Sequence, residues 1–204
     1  PPPATRATVP HSVSLPVGPA LWSRSHSWWA TAVLIAVDMS VFACFAYAHL
    51  HVSMAADVCP PPGAALPGLR GPLAAACLLA ACGMLLWGAA RALRGAQPRE
   101  QRGLQALMLL ALLCATSALA LDATGHARAG LDADAHAWGA TVATLLCYQG
   151  LHVVVLVMMG AFVLVRSCSG RLRPDARATL DNTVLMGWCV CAQGVLGMLV
   201  VQLA

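Results

Sequence analysis

Between the paired Trp28–Trp29 and the histidines His49 and His51, about twenty residues run almost without polarity, enough to cross a bilayer core of roughly 30 Å as a helix. One residue interrupts them. Asp38 stands midway, and at about 1.5 Å of helical rise per residue it lies about 15 Å deep, near the membrane midplane. An ionised carboxylate facing lipid there costs about 3 kcal/mol or more. The acid must therefore be protonated, paired, or turned towards protein. That constraint organises the rest of the sequence.

The first apolar run is one of five. It extends from Trp28 to about Val52, within the stretch His26–Val52. The others are about Pro72 to Leu93, Gly103 to about Leu121, His136 to Val165, and about Leu180 to Ala204. Hydrophobic residues make up 59% of the 204 and charged residues 10%, against about a quarter charged in a soluble domain. The expected fold is an all-α, polytopic membrane protein with a bundle of five transmembrane helices over residues 26–204. Residues 1–25, rich in Pro, Ser and Val, read as a linker or tail along the membrane surface, with Leu21 and Trp22 as an interfacial anchor. Soluble enzyme classes are excluded, and no basic tract suggests a nucleic-acid partner.

All twelve basic residues are arginines, and ten of them cluster in the tail, between the second and third spans, and between the fourth and fifth. The positive-inside rule places those segments, and the N-terminus, in the cytoplasm. The Pro-rich loop after the first span, the loop Asp122–Ala135 with Asp122, Asp132 and Asp134, and the C-terminus then face outside. Seven of nine cysteines fall inside apolar runs, where Cys behaves as a small hydrophobe, and no C-x-x-C occurs. A disulfide framework is not expected. In the second span, Ala76 and Ala80 have the spacing of a small-xxx-small contact.

His152, in the middle of the fourth span, shares the depth of Asp38. If their faces meet, the two form a buried pair, either a protonatable site or a lock between helices that satisfies polar atoms; both readings stay open. Gln149 precedes His152 by three residues on the same helical face, and Gln193 is a second buried amide; both are expected to make interhelical hydrogen bonds. His26, Trp28, Trp29 and Trp138 are expected at the interface, in contact with lipid. His49-x-His51 with Met54 and Cys59 offers ligand types that suit copper, but residues two apart on a helix point in different directions, so a metal site would need a non-helical end. No metal is expected. The third span offers only Thr116 and Ser117, and no span carries paired haem-ligand histidines, a phosphate loop or a nucleophile constellation. No catalytic residues are expected in this chain.

Three segments resemble subunit III of haem–copper respiratory oxidases, in particular its last five helices. Val37-Asp38-Met39-Ser40-Val41-Phe42 is similar to the family's acidic residue before a Phe-containing apolar run. His136-Ala137-Trp138-Gly139-Ala140-Thr141, followed by Gly150-Leu151-His152-Val153, is similar to its aromatic-Gly-Ser/Thr start and later His-Gly-x-His-Val. Trp188-Cys189-Val190-Cys191-Ala192-Gln193-Gly194 is similar to the last helix of forms fused behind subunit I. Asp38 replaces the usual Glu, Gln149 stands where the family often has the first His, and Cys189 stands where a His commonly follows the Trp. The resemblance spans most of residues 20–204.

The resemblance implies a subunit, or fused domain, without redox centres. Haem and copper would belong to partner subunits. Its partners would be oxidase subunits I and II and membrane phospholipids, in a bacterial inner membrane. Its role would be to sustain proton uptake and turnover in a cytochrome c oxidase. The Pro-rich start fits a linker after a fused subunit I, or a chain cut by processing. Subunit III of a quinol oxidase is one alternative. A stand-alone proton-coupled transporter using Asp38 and His152 is another, although the internal repeat common in transporters is not evident.

Overall fold

The computed structural model describes residues 25–94, 100–173 and 177–203. The expected tail, with Leu21 and Trp22, lies outside them apart from its last residue, Ser25. Five helices follow in order: α1 (His26–Ala55), α2 (Arg70–Arg94), α3 (Glu100–Arg128), α4 (Ala137–Cys168) and α5 (Ala178–Leu203). All five contain segments long and apolar enough to cross a membrane, so the chain is an all-α, multi-pass membrane protein. Consecutive helices alternate in direction. One end of the bundle therefore gathers the end of α1, the loops 56–69 and 129–136, and the end of α5. We call it the acidic end, because Asp57, Asp132 and Asp134 lie there. The opposite, arginine-rich end carries Arg91, Arg102, Arg166, Arg171, Arg173 and Arg177.

α2 and α3 form a hairpin held by a seam of alternating three- and four-residue steps. On α2 the buried residues are Ala75, Leu79, Cys82, Leu86, Ala89 and Leu93; on α3 they are Leu104, Met108, Ala111, Ala115 and Ala118. That spacing is the a/d repeat of a coiled coil, and the alanines let two backbones approach where lipid supplies no hydrophobic driving force. Ala76 is only half-buried and Ala80 is exposed, so the small-residue pair picked out in the sequence is not the close-packed face. Ala75 and Leu79, one position earlier, hold the seam.

The third helix also outruns its expected end. The sequence places the end of the span at about Leu121, before the acid Asp122, yet α3 continues to Arg128. Asp122 is the next step of the same seam after Ala118, and His126 follows four residues later on that face. Both turn inwards, so their polarity does not end the helix.

α5 is the central helix, packed against α1, α2 and α4. Glycines set its approach: a Cβ at Gly187 would overlap the Leu86 side chain, so α2 and α5 meet only because that position is bare. α1 is the outlying helix. It touches α4 and α5, buries only Phe42, His49 and Ser53, and leaves Val33, Leu34, Val37 and Tyr47 exposed. Its start is capped by the Ser25 hydroxyl, which accepts from the Trp28 N–H at 3.2 Å. It is also tied to α5 where Asn182 donates to the Ser27 hydroxyl at 3.3 Å.

The loop 56–69 lies over the acidic end, where Ala65 N–H donates to the Ala129 carbonyl at 3.0 Å. Gly130, at φ 83°, supplies the left-handed turn after α3 that a side chain would strain.

Candidate functional site: a carboxyl–imidazole pair at mid-depth

Asp38 is near the middle of α1 and His152 near the middle of α4. Asp38 Oδ2 lies 2.8 Å from His152 Nε2. The imidazole side chain is 8% exposed and the carboxyl 22%, so the acid faces protein across the α1–α4 contact. The shorter acid reaches its partner without the extra methylene of a Glu.

The ring's second nitrogen fixes the proton count. His152 Nδ1 lies 2.7 Å from the Tyr148 carbonyl, one turn earlier on α4. A carbonyl only accepts, so Nδ1 carries a hydrogen. A further proton, on the carboxyl or on Nε2, gives either a neutral acid beside a neutral imidazole or a carboxylate beside an imidazolium. In both forms the pair has no net charge, which removes most of the penalty a lone carboxylate would carry at that depth.

Tyr148 completes the site. Its hydroxyl donates to Asp38 Oδ1 at 2.5 Å and lies 3.2 Å from the Asp38 carbonyl. Its ring packs edge-on against His152 at 4.6 Å and against Phe45 at 5.1 Å between centroids. Sequence reasoning missed Tyr148. The missed signal was its i,i+4 spacing to His152, which puts both on the face that meets α1. Cys189 of α5, buried, lies close enough to interact electrostatically with Asp38.

The two amides bridge helices. Gln149 Nε2 donates to the Val190 carbonyl of α5 at 3.1 Å. The contact needs Gly194, where a Cβ would sit 2.7 Å from that nitrogen. Gln193 places its amide 3.5 Å from His152 Nδ1. Because Nδ1 already donates, the amide serves it as an acceptor when turned so that Oε1 faces the ring.

The remaining expected residues are distributed differently. His26 and Trp29 are exposed and Trp28 half-buried at the arginine-rich end. Trp138, expected to contact lipid, is instead 4% exposed; it packs in a cluster with Phe42, Val142, Leu145 and Val201. α1 covers that face of α4, with the His49 ring 6.2 Å from the indole.

His49 and His51 do not form a ligand pair. α1 stays helical through Ala55, so His49 is fully buried, with Nδ1 2.9 Å from the Thr141 hydroxyl, while His51 is exposed. Among the described residues, no three His, Cys, Asp or Glu side chains converge to hold a cation.

No family model matches this chain, and no curated protein matches it.

Proposed function

We propose that this chain is the subunit III-like component of a bacterial haem–copper terminal oxidase, without redox centres of its own, which packs on subunits I and II in the inner membrane. The observation that carries the reading is the 2.8 Å contact between Asp38 and His152. These are the acid and the histidine of two separate segments that resemble the family's, and they meet at mid-depth, where such a pair has no use as a surface feature. The exposed outer face of α1 suits further protein or lipid contact. An open cleft of about 550 Å³ between Phe45 of α1 and Cys147, Tyr148 and Leu151 of α4 suits a phospholipid chain. In this reading the pair keeps α1 docked on α4, and so keeps proton uptake and turnover by the partner subunits durable. Cytochrome c is the proposed electron donor to the complex, with quinol as the alternative.

The test is purification of the full chain under mild detergent from its native membrane. Haem absorbance that co-elutes with the chain through two orthogonal separations is the expected result. A haem-free, homogeneous chain that acidifies or alkalinises vesicles when given a solute gradient would replace the oxidase reading with the transporter one.

A further inference from the structure

Cysteines inside apolar runs usually act as small hydrophobes, and two of those in this chain also have each other. Cys82 lies near the middle of α2 and Cys191 near the middle of α5, at 0% and 6% exposure. The two helices are antiparallel, and bare positions let them close on each other at two points, Gly187 against Leu86 and Gly194 against Leu79. Cys82 stands three residues after Leu79 and Cys191 three before Gly194; from the other contact, each stands four residues in. The register therefore sets the two thiols opposite each other, between the closest approaches of α2 and α5.

The side chains agree with that register. The Cys191 S–H donates to the Leu79 carbonyl at 2.9 Å, which carries its sulfur onto the turn of α2 that holds Cys82. With that hydrogen committed, the bond between the two thiols runs from the Cys82 S–H to the Cys191 sulfur. Both are free thiols in this structure. Cys114 of α3 lies near enough to Cys82 to interact with it electrostatically, and is the rival partner.

We propose that Cys82 and Cys191 are a site of reversible oxidation, where a small uncharged peroxide converts the two thiols into a disulfide that fastens the α2–α3 hairpin to α5. Hydrogen peroxide supplies the oxidant. The Cys191 sulfur attacks one peroxide oxygen and the O–O bond breaks, leaving Cys191 as the sulfenic acid and releasing water. The Cys82 sulfur then displaces the hydroxyl, the S–S bond forms, and a second water leaves with the remaining thiol proton. Two thiols and one peroxide give one disulfide and two waters; the sulfurs lose two electrons and the peroxide oxygens gain them. Burial among apolar side chains slows the first step. It does not slow the second, because the oxidised sulfur already faces a thiol. Without that neighbour, oxidation runs on to sulfinic acid, which would place an ionisable group among Leu79, Leu86 and Val190 in the interior of the bundle. A disulfide is uncharged, and it asks for Cα atoms about 4.4–6.8 Å apart, the kind of approach that glycines at a helix crossing create. The proposal does not depend on which partners the chain has.

The experiment uses the full chain in phospholipid vesicles, exposed to hydrogen peroxide, then denatured with free thiols blocked and mapped by peptide mass spectrometry. A cross-linked peptide pair joining Cys82 to Cys191 should appear, and a thiol reductant should restore both as free cysteines. The oxidised chain should unfold at a higher midpoint than the reduced one. Cys82→Ala should abolish the cross-link and let Cys191 accumulate as sulfinic acid, at a peroxide dose that leaves none in the unsubstituted chain. Peroxide treatment that leaves Cys82 and Cys191 as thiols, that carries either to sulfinic acid in the unsubstituted chain, or that joins Cys82 to Cys114 instead would each overturn the proposal, and none of these readings needs a variant to fold.

Discussion

The α2–α3 hairpin and the α1–α4–α5 sector solve one problem in two ways. Both must hold apolar helices together in a solvent as apolar as their side chains. The hairpin does so by shape. Its seam combines alanines and Cys82 with leucine and methionine, and its buried residues carry no charged or amide side chain until Asp122. The other sector does so by chemistry. α1 offers few buried side chains, and its attachment relies on Asp38 with His152 and Tyr148, His49 with Thr141, and Ser27 with Asn182. Polar contacts between membrane helices are individually modest, about 0.6–2 kcal/mol, so α1 depends on a small number of them. The difference teaches where each sector is fragile. The hairpin fails by steric change, and the α1 sector fails by loss of a proton or a partner.

Substitutions can break that contrast, and the largest effect falls in the polar sector. His152→Leu leaves a deep carboxyl with only the Tyr148 hydroxyl, and should destabilise by about 3 kcal/mol; reversible unfolding in mixed micelles would read it. An unchanged midpoint would mean the pair holds nothing. Next comes Gly187→Ala, whose methyl must displace Leu86 at the α2–α5 crossing, for about 1–3 kcal/mol of overpacking. Tyr148→Phe removes one donor to the carboxyl without altering shape, and should cost about 1–2 kcal/mol. An infrared carboxyl band from Asp38 that shifts in this variant would confirm the contact. Ala80→Leu is the sharpening case. The exposed face of α2 should accept it within about 0.5 kcal/mol, while the same change at Ala75, in the seam, should not be tolerated.

The five helices were legible because a hydropathy run of spanning length has few other uses. The Asp38–His152 pairing was legible for a related reason: two ionisable groups at one depth have few partners to choose from. What composition could not convey was facing. Trp138 reads as an interfacial tryptophan until α1 is known to cross in front of it. Asp122 and His126 read as loop residues because charge ends a hydropathy window, although the step from Ala118 continues the heptad seam. Tyr148 was hidden in the mixed stretch Cys147-Tyr148-Gln149-Gly150, and only the i,i+4 relation to His152 singles it out. His49 and His51 show the converse. Two residues apart and attractive as ligands, they diverge because the helix does not end where a metal site would need it to.

The most direct test of this account is a double-mutant cycle on Asp38 and His152, using Asp38→Asn, His152→Leu and the combination, read as unfolding free energy in the full chain. A carboxyl–imidazole pair across the α1–α4 contact predicts a coupling of about 1.5 kcal/mol or more, with the double variant more stable than the two losses summed. Additivity within about 0.5 kcal/mol would show that the two side chains are neighbours without a bond, and would contradict it.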